Sequence, residues 1–196
     1  IEHHIVRLQQ AGFTSLVINV SHLAQQIEDF CGSGEQWGVS IVFSRESEPL
    51  ETAGGIVAAL PMLGREPFLL GNGDIWTDLP FGPLKQADLR PGETAHLVFV
   101  DNPQQHPQGD FLLSEEGRVR TLEPDQCGVT YAGVGIYSTA FFEGVHPGKL
   151  ALRPLLDAAI ASDTLGGRFY SGEWEDVGTP ERLAQLNERL KSVQHC

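Results

Sequence analysis

Short apolar, β-branched runs alternate with helical patterns through the first third of this chain. Strand patterns occupy residues 16–20, 39–43 and 68–70, and helical patterns occupy 22–30 and 54–63 between them. Strands that recur with a helix between them form βαβ units, whose right-handed crossovers make neighbouring strands parallel. The alternation predicts an α/β fold, a three-layer Rossmann-like arrangement with helices on both faces of the sheet. We expect Ser21 to cap the first of these helices.

The second half of the chain has a different pattern. Strand patterns at 95–100, 110–114 and 130–137 follow one another across Gly- and Pro-rich turns, which predicts a sheet of mixed parallel and antiparallel strands. Helices are expected at 151–161 and 180–193, the second with Thr179 at its N-cap and Pro180 at its first position. Gly166-Gly167 is either a hinge for closure or a turn, and the turn is favoured. Without an internal repeat or a linker, the sequence predicts one domain over residues 1–196.

Composition limits the classes of partner. The chain has 196 residues, 26 of them Asp or Glu against 13 Lys or Arg, which argues against a nucleic acid held by its phosphate backbone. No apolar run approaches the roughly 18 residues of a membrane span, and no signal peptide is recognisable. Cys31, Cys127 and Cys196 are too few and too far apart for a disulfide framework. We expect a soluble, cytoplasmic protein.

The first residues predict the second half of an amphipathic helix. Apolar residues stand at positions 1, 5 and 8, and Gly12 gives the pattern a stop. No N-cap residue precedes them. We therefore expect a strand and a loop to precede Ile1 in the full protein, so that the sheet of this chain lacks its first strand.

One carboxylate follows directly on an apolar strand. Residues 68–71 read Phe-Leu-Leu-Gly, and Asn72, Gly73 and Asp74 come next. Ligands of α/β sheets bind outside the carboxyl ends of the strands, which is where Asp74 would lie. The alternative is a simple turn, because Asn-Gly and Gly-Asp are common turn pairs. A second carboxylate, Asp176, lies in the segment Trp-Glu-Asp-Val-Gly-Thr at 174–179, and the two together favour a site for a divalent cation.

The beginning of the helix at 54–63 is rich in glycine. Gly54 and Gly55 leave main-chain N–H groups uncovered, which allows a flat or anionic ligand to approach. Glu51 and Thr52 come just before them. An ordinary entry from loop to helix, capped by Thr52, is the alternative interpretation.

Four motifs in order resemble the nucleotide-diphospho-sugar pyrophosphorylases. They are Glu-Thr-Ala-Gly-Gly-Ile at 51–56, Gly-Asn-Gly-Asp at 71–74, Gly133 in a late strand, and Trp-Glu-Asp-Val-Gly-Thr at 174–179. The likeness is greatest to the bacterial branch of cell-wall recycling that uses UTP and N-acetylmuramate 1-phosphate. The segments 48–52, 72–78, 100–103 and 109–111 carry that closer likeness.

The resemblance implies a reaction and a set of residues. A sugar 1-phosphate oxygen attacks the α-phosphorus of a nucleoside triphosphate, and pyrophosphate leaves. By analogy with the family, Asp74 and Asp176 hold Mg²⁺ and serve catalysis. Residues that match the family's nucleotide contacts are Glu51, Thr52, Gly54 and Gly55, and those that match its sugar contacts are Asn72, Gly109, Asp110 and Gly133. Asp110 is equally well explained as a turn residue beside an edge strand, and Trp174 is better explained as a core aromatic residue.

The family's Gly-rich loop with its Arg, followed by a Pro-Lys pair, lies before the helix with which this sequence begins. We therefore expect a protein of these 196 residues alone to be catalytically inert or nearly so. Two alternatives remain open at this point. One is another sugar nucleotide, of the GDP-mannose or UDP/dTDP-glucose type, and the other is a non-catalytic module that binds a nucleotide sugar. A Rossmann dehydrogenase is disfavoured, because its glycine fingerprint should directly follow the first strand.

Overall fold

A computed structural model describes residues 1–86 and 89–193. The strands in these ranges are β1 Ser15–Val20, β2 Ser40–Arg45, β3 Phe68–Gly71, β4 Ile75–Thr77, β5 Ala95–Val100, β6 Phe111–Leu113, β7 Val119–Thr121, β8 Thr130–Tyr137, β9 Leu165–Phe169 and β10 Trp174–Asp176. The α-helices are α1 Glu2–Gln10, α2 Ala24–Cys31, α3 Glu51–Leu63, α4 Gly82–Gln86, α5 Arg153–Ala161 and α6 Pro180–Val193. Short 3₁₀ helices occupy Glu35–Trp37 and Thr139–Phe142.

Contacts divide the chain into two compact units. Unit 1 consists of Ile1–Leu69, Pro80–His96 and Ile136–Gly166, and unit 2 of Leu70–Leu79, Leu97–Gly135 and Gly167–Cys196. Within the described residues, one sheet has four strands in the order β3-β8-β5-β9. That residues 1–196 form one domain stays a prediction.

Unit 1 contains the predicted βαβ unit. Strands β1 and β2 pair in parallel from Ser15 opposite Ser40 to Val20 opposite Arg45, with α2 between them in sequence. A buried apolar cluster joins α1, α2 and β2; its members are Ile5, Cys31, Val39 and Ile41. The parallel pairing that the sequence predicts for its first half is confirmed in this unit.

Unit 2 contributes antiparallel pairs. Strand β4 pairs with β10 and β6 with β7, both antiparallel. Phe99 of β5 lies in the core of this unit, with its ring edge-on to the ring of Phe111 at a centroid distance of 6.0 Å. Parallel and antiparallel pairs in one chain confirm the α/β fold with a mixed sheet.

Two helix starts differ from the sequence predictions. Helix α2 begins at Ala24, with Leu23 as N-cap in the left-handed conformation (φ 55°), and not at residue 22 with Ser21 as cap. Helix α3 begins at Glu51 with Leu50 as N-cap, so Thr52 lies inside the first turn and does not cap it. In both cases the N-cap residue makes no side-chain hydrogen bond to the helix, so no capping residue in the sequence marks where the helix begins.

The prediction of a turn at Gly166-Gly167 was wrong, since both residues belong to β9. Packing explains the second glycine of this strand. A Cβ atom at Gly167 would lie 2.4 Å from Cε2 of Phe99, so only glycine lets the strand pass the phenyl ring. Gly-Gly is a turn signal in sequence, and here the burial of an aromatic residue overrides it.

Among residues 1–86 and 89–193, no helix is long and apolar enough to cross a membrane. Within the same part of the chain, Cys31 is a buried free thiol and Cys127 an exposed one. The third cysteine of the sequence prediction, Cys196, lies outside the described residues.

Candidate active site

The pairing of β4 with β10 positions both predicted metal-binding carboxylates in unit 2. Asp176 lies opposite Ile75 in the antiparallel register, one residue from Asp74. The pairing continues past the strands, because the N–H of Val177 donates to the carbonyl oxygen of Asp74 at 2.8 Å. Two residues that are about a hundred positions apart in sequence are thereby neighbours on adjacent segments.

The two carboxylates converge beside Gly178. The position that a Cβ atom would take at this glycine lies 3.0 Å from Oδ1 of Asp176 and 3.4 Å from Oδ2 of Asp74. Both oxygens therefore face one small volume that a side chain would fill. Glycine keeps that volume free.

The two carboxylates differ in their partners. In Asp176, Oδ1 accepts the main-chain N–H of Gly178 at 2.8 Å, and Oδ2 accepts Nη1 of Arg182 at 2.5 Å. Asp74 is exposed, and within the described ranges no group donates a hydrogen bond to its carboxylate. Asp176 is thus held in one orientation by the protein, whereas Asp74 is available to a ligand.

A cavity of about 240 Å³ in unit 2 includes both carboxylates in its wall. The lining combines polar and apolar residues, and no Lys or Arg of the described ranges belongs to it; the residues are Asn72, Asp74, Ile75, Pro103, Gln105, His106, Thr130, Tyr131, Gly133, Trp174 and Asp176. Four residues that the sequence predicts as site residues lie in this wall: Asn72, Asp74, Gly133 and Asp176. The structure brings these four together.

Asn72 and Gly133 are in direct contact. Gly133 has φ +71°, and a Cβ atom there would come within 2.8 Å of Nδ2 of Asn72. The main chain ties the pair as well, because the N–H of Asn72 donates to the carbonyl oxygen of Gly133 at 2.8 Å. Gly133 therefore has a defined structural purpose, which is to let the Asn72 amide lie across β8 in the cavity wall.

Asp110 reaches the cavity through His106. Its Oδ1 is 3.1 Å from Nε2 of His106, and its Oδ2 accepts the N–H of Tyr131 at 2.9 Å. With an acid as its partner, Nε2 carries the hydrogen, and Nδ1 is left for another group. Asp110 itself does not line the cavity. It positions the imidazole that does.

Gly109 has a structural role in the same loop. With φ +75°, it leaves room for Asn102, whose Oδ1 would lie 2.6 Å from a Cβ atom at this position. Asn102 accepts a hydrogen bond from Thr130 Oγ1 at 2.8 Å and donates to the carbonyl oxygen of Gly128 at 2.9 Å. This network fixes the loop that carries His106. Gly109 does not line the cavity.

Trp174 was expected to be a core aromatic residue. Its indole N–H donates to the carbonyl oxygen of Ala132 at 2.9 Å, which anchors β10 to β8. The ring is half-buried and also forms part of the cavity wall. The anchoring role is therefore present, and the ring is at the same time available to a ligand.

The predicted nucleotide-binding residues belong to unit 1. Glu51 has φ 61°, and its carboxylate is 3.7 Å from Nζ of Lys149. Thr52 is exposed in the first turn of α3. Glu51 and Thr52 are thus accessible at the beginning of the helix, as a nucleotide contact requires. A role in binding a nucleotide stays a prediction.

Gly54 and Gly55 are buried against their own unit. A Cβ atom at Gly54 would lie 2.2 Å from the carbonyl oxygen of Gly148, and one at Gly55 would lie 2.6 Å from Oε1 of Glu46. Asn19 joins the second contact, since its Nδ2 donates to the carbonyl oxygen of Gly55 at 2.8 Å. Close packing thus explains why glycine stands at both positions. The alternative interpretation, an ordinary entry into the helix but without the Thr52 cap, explains the two glycines as well as a bound ligand would.

Two side chains that pair with predicted carboxylates, His106 with Asp110 and Arg182 with Asp176, are absent from the sequence predictions. His106 lies in the loop before β6, and no motif signals it. Arg182 is the third residue of α6, and its N–H donates to Thr179 Oγ1 at 3.3 Å, which confirms Thr179 as the N-cap and Pro180 as the first position. The sequence does contain a clue to Arg182, because a basic residue in the first turn of a helix can reach back to a carboxylate that precedes the helix, here Asp176.

Known structures place the fold in a class. The chain superimposes on HddC from Yersinia pseudotuberculosis with a TM-score of 0.77 and 20% identity, covering 96% of this chain and 84% of that one. The same protein, complexed with GMP-PN, matches with a TM-score of 0.75 and 21% identity, covering 94% and 82%. The shared fold is the α/β fold with a mixed sheet.

The chain belongs to the nucleotidyl transferase family, whose members are enzymes; the family's sequence model matches residues 1–193. It is 44% identical over 186 residues to the N-acetylmuramate alpha-1-phosphate uridylyltransferase of Neisseria meningitidis serogroup B, covering 93% of this chain and 80% of the relative. It is also 28% identical over 187 residues to a mannose-1-phosphate guanylyltransferase catalytic subunit beta from Drosophila pseudoobscura pseudoobscura, covering 91% and 50%. The chain thus spans about half the length of the second relative.

Proposed function

We propose that the full-length protein transfers the uridylyl group of UTP to N-acetylmuramate 1-phosphate, giving UDP-N-acetylmuramate and pyrophosphate in a magnesium-dependent reaction of cell-wall recycling. The observation that carries this proposal is the convergence of Asp74 and Asp176 on one volume beside Gly178. The choice of UTP and of the muramate sugar is supported by the relative that is 44% identical.

The residues present fit a magnesium ion. Within the described ranges, no group of three or more His, Cys, Asp or Glu side chains could hold a metal ion. Mg²⁺ does not need such a group, because it prefers one or two carboxylates, with phosphate oxygens and waters as its other ligands. Asp74 and Asp176 would supply the carboxylates. When bound, Mg²⁺ would neutralise part of the phosphate charge and orient the phosphates.

Little covalent chemistry is asked of the protein in this reaction. The sugar phosphate oxygen attacks the α-phosphorus in line and forms the new P–O bond, while the bond to the departing pyrophosphate breaks. Catalysis is then mainly the positioning of two anionic substrates. In this proposal Asn72 and His106 orient the sugar 1-phosphate within the cavity, and Glu51, Thr52, Gly54 and Gly55 contact the nucleotide.

A substrate panel tests the proposal. Full-length protein is incubated with MgCl₂ and each of UTP, GTP and dTTP, crossed with N-acetylmuramate 1-phosphate, mannose 1-phosphate and glucose 1-phosphate, while pyrophosphate release is measured. We expect the highest kcat/KM for UTP with N-acetylmuramate 1-phosphate. Preference for GTP with mannose 1-phosphate would favour the guanylyltransferase alternative suggested by the Drosophila relative. Binding of a nucleotide sugar without turnover of any pair would favour a binding module.

A further inference from the structure

Arg182 places a positive charge beside the two converging carboxylates. Its Nη1 donates to Oδ2 of Asp176 at 2.5 Å, and its Nη2 lies 3.8 Å from the Cβ position of Gly178. The oxygens of Asp176 and Asp74 lie 3.0 and 3.4 Å from that same position. One volume therefore has two negative groups and one positive group around it.

The ion pair is not needed to orient Asp176. The other oxygen, Oδ1, accepts the main-chain N–H of Gly178 at 2.8 Å, and this bond is independent of the arginine. The side chains of Arg182 and Asp176 are 31% and 34% exposed, so water can replace the guanidinium at Oδ2 when it is removed. The remaining effect of Arg182 on the volume beside Gly178 is its charge.

We propose that Arg182 is a positioning residue that acts as a counter-ion to the carboxylate pair. It forms an ion pair with Asp176 when no cation is present, and it competes with a divalent cation for the two carboxylates. This inference rests on the proposed function, because it assumes that the pair holds the metal. A cation entering beside Gly178 must overcome repulsion by the guanidinium or displace it from Oδ2. Arg182 therefore keeps the affinity for the metal ion alone low.

Displacement gives the guanidinium a second use. An arginine released from a carboxylate can donate paired hydrogen bonds to phosphate oxygens, which it matches in geometry. In the part of the chain that the structure describes, no Lys or Arg lines the cavity itself, so Arg182, which pairs with Asp176 in the cavity wall, is positioned to supply this charge. The metal ion would then bind well only together with a phosphate-bearing substrate, and the free enzyme would not retain it.

Metal binding without substrate tests this inference directly. We expect Arg182→Gln and Arg182→Met to bind Mn²⁺ about tenfold more tightly than the wild type, measured by the loss of the free Mn²⁺ electron paramagnetic resonance signal. Isothermal titration calorimetry with Mg²⁺ should rank the affinities of the variants and the wild type in the same order. Arg182→Lys keeps the charge and should stay within about twofold of the wild type. Two neutral variants are used because Met keeps the apolar stem of the side chain if Gln disturbs folding.

Arg189 provides the matched control on the same helix. Its Nη1 is 2.7 Å from Glu175 Oε1 and its Nη2 3.6 Å from Glu173 Oε2, so Arg189→Gln removes an ion-paired arginine that does not face Gly178. We expect its Mn²⁺ affinity to equal that of the wild type. An unchanged or weaker Mn²⁺ affinity in both neutral Arg182 variants would overturn the inference.

The same preparations separate this inference from the proposed function. If Asp74→Asn abolishes Mn²⁺ binding but the Arg182 variants bind like the wild type, the carboxylate pair stands and the counter-ion role is wrong. If Asp74→Asn leaves the Mn²⁺ affinity unchanged, both the metal site and the counter-ion role of Arg182 are wrong. Uridylyl transfer by the wild type, assayed in parallel, then shows whether the activity itself stands.

Discussion

Val177 donates its main-chain N–H to the carbonyl oxygen of Asp74 at 2.8 Å, and this one bond carries the pairing of β4 and β10 past the ends of both strands. It follows that the position of Asp176 relative to Asp74 is set by the backbone and not by the contact of two like charges. A rigid backbone can hold two carboxylates close together until a cation arrives.

Gly178→Ala should lower the affinity for the cation more than it lowers the stability of the fold. The new methyl group would lie 3.0 Å from Asp176 Oδ1 and 3.4 Å from Asp74 Oδ2 and fill the volume on which they converge. We expect the Mg²⁺ concentration for half-maximal activity to rise about tenfold or more, measured by titrating MgCl₂ in the pyrophosphate assay. Gly82→Ala, where a Cβ atom would have no neighbour within 4 Å, is the control and should leave that concentration unchanged.

Gly133→Ala should affect both stability and sugar binding. At φ +71° an alanine is strained by about 1–2 kcal/mol, and its methyl group would press on the Asn72 side chain at 2.8–3.1 Å. We expect a lower free energy of unfolding in urea and a higher KM for the sugar 1-phosphate. Gly144→Ala shares the left-handed backbone (φ +77°) but has open space around it, so it should lose stability without a change in KM. Equal KM values in the two variants would show that Asn72 has no role in substrate binding.

His106→Gln should raise KM for the sugar 1-phosphate by about three- to tenfold with little effect on kcat, because one ligand hydrogen bond contributes about 1 kcal/mol. The reason is its place in the cavity wall and the bond of its Nε2 to Asp110 at 3.1 Å. Initial rates at varied sugar phosphate concentration measure the effect. His22→Gln, an exposed residue of unit 1, should be silent. A KM unchanged by His106→Gln would remove this residue from the substrate contacts.

The two described cysteines should differ in reactivity. Cys31 is 1% exposed, and burial raises the pKa of its thiol. Since the thiolate is the reacting species, iodoacetamide at mildly alkaline pH should modify Cys127 and spare Cys31 in the folded protein. Peptide mapping by mass spectrometry assigns the label to each cysteine. Equal labelling of both in native buffer would contradict the burial of Cys31 in the core of unit 1.

Local signals explain what the sequence could predict. Thr179 and Pro180 mark the beginning of α6 because capping depends on adjacent residues. The first βαβ unit follows from runs of β-branched residues long enough to show a period. Asp74 was placed at a strand end for the same reason, since the apolar run before it ends in glycine.

What the sequence could not predict depends on contacts between distant segments. Strands β4 and β10 have three residues each, too few for a periodic pattern, yet their pairing brings Asp74 to Asp176. Gly167 reads as a turn residue until Phe99 is seen to occupy the space beside it. His106 has no motif around it, and its place in the cavity depends on the Asn102 network that fixes its loop.

If Asp74 and Asp176 act together in uridylyl transfer, removing the charge of either one should abolish the reaction. Asp74→Asn and Asp176→Asn keep size and remove charge, and Glu175→Gln is the control, because Glu175 is the next carboxylate on β10 and pairs with Arg189 at 2.7 Å. Pyrophosphate release from UTP and N-acetylmuramate 1-phosphate is measured for each full-length variant at saturating MgCl₂. We expect a loss of about a hundredfold or more in kcat for each Asp variant and none for Glu175→Gln. Turnover near the wild-type rate in either Asp variant would show that the two carboxylates do not act together in the transfer.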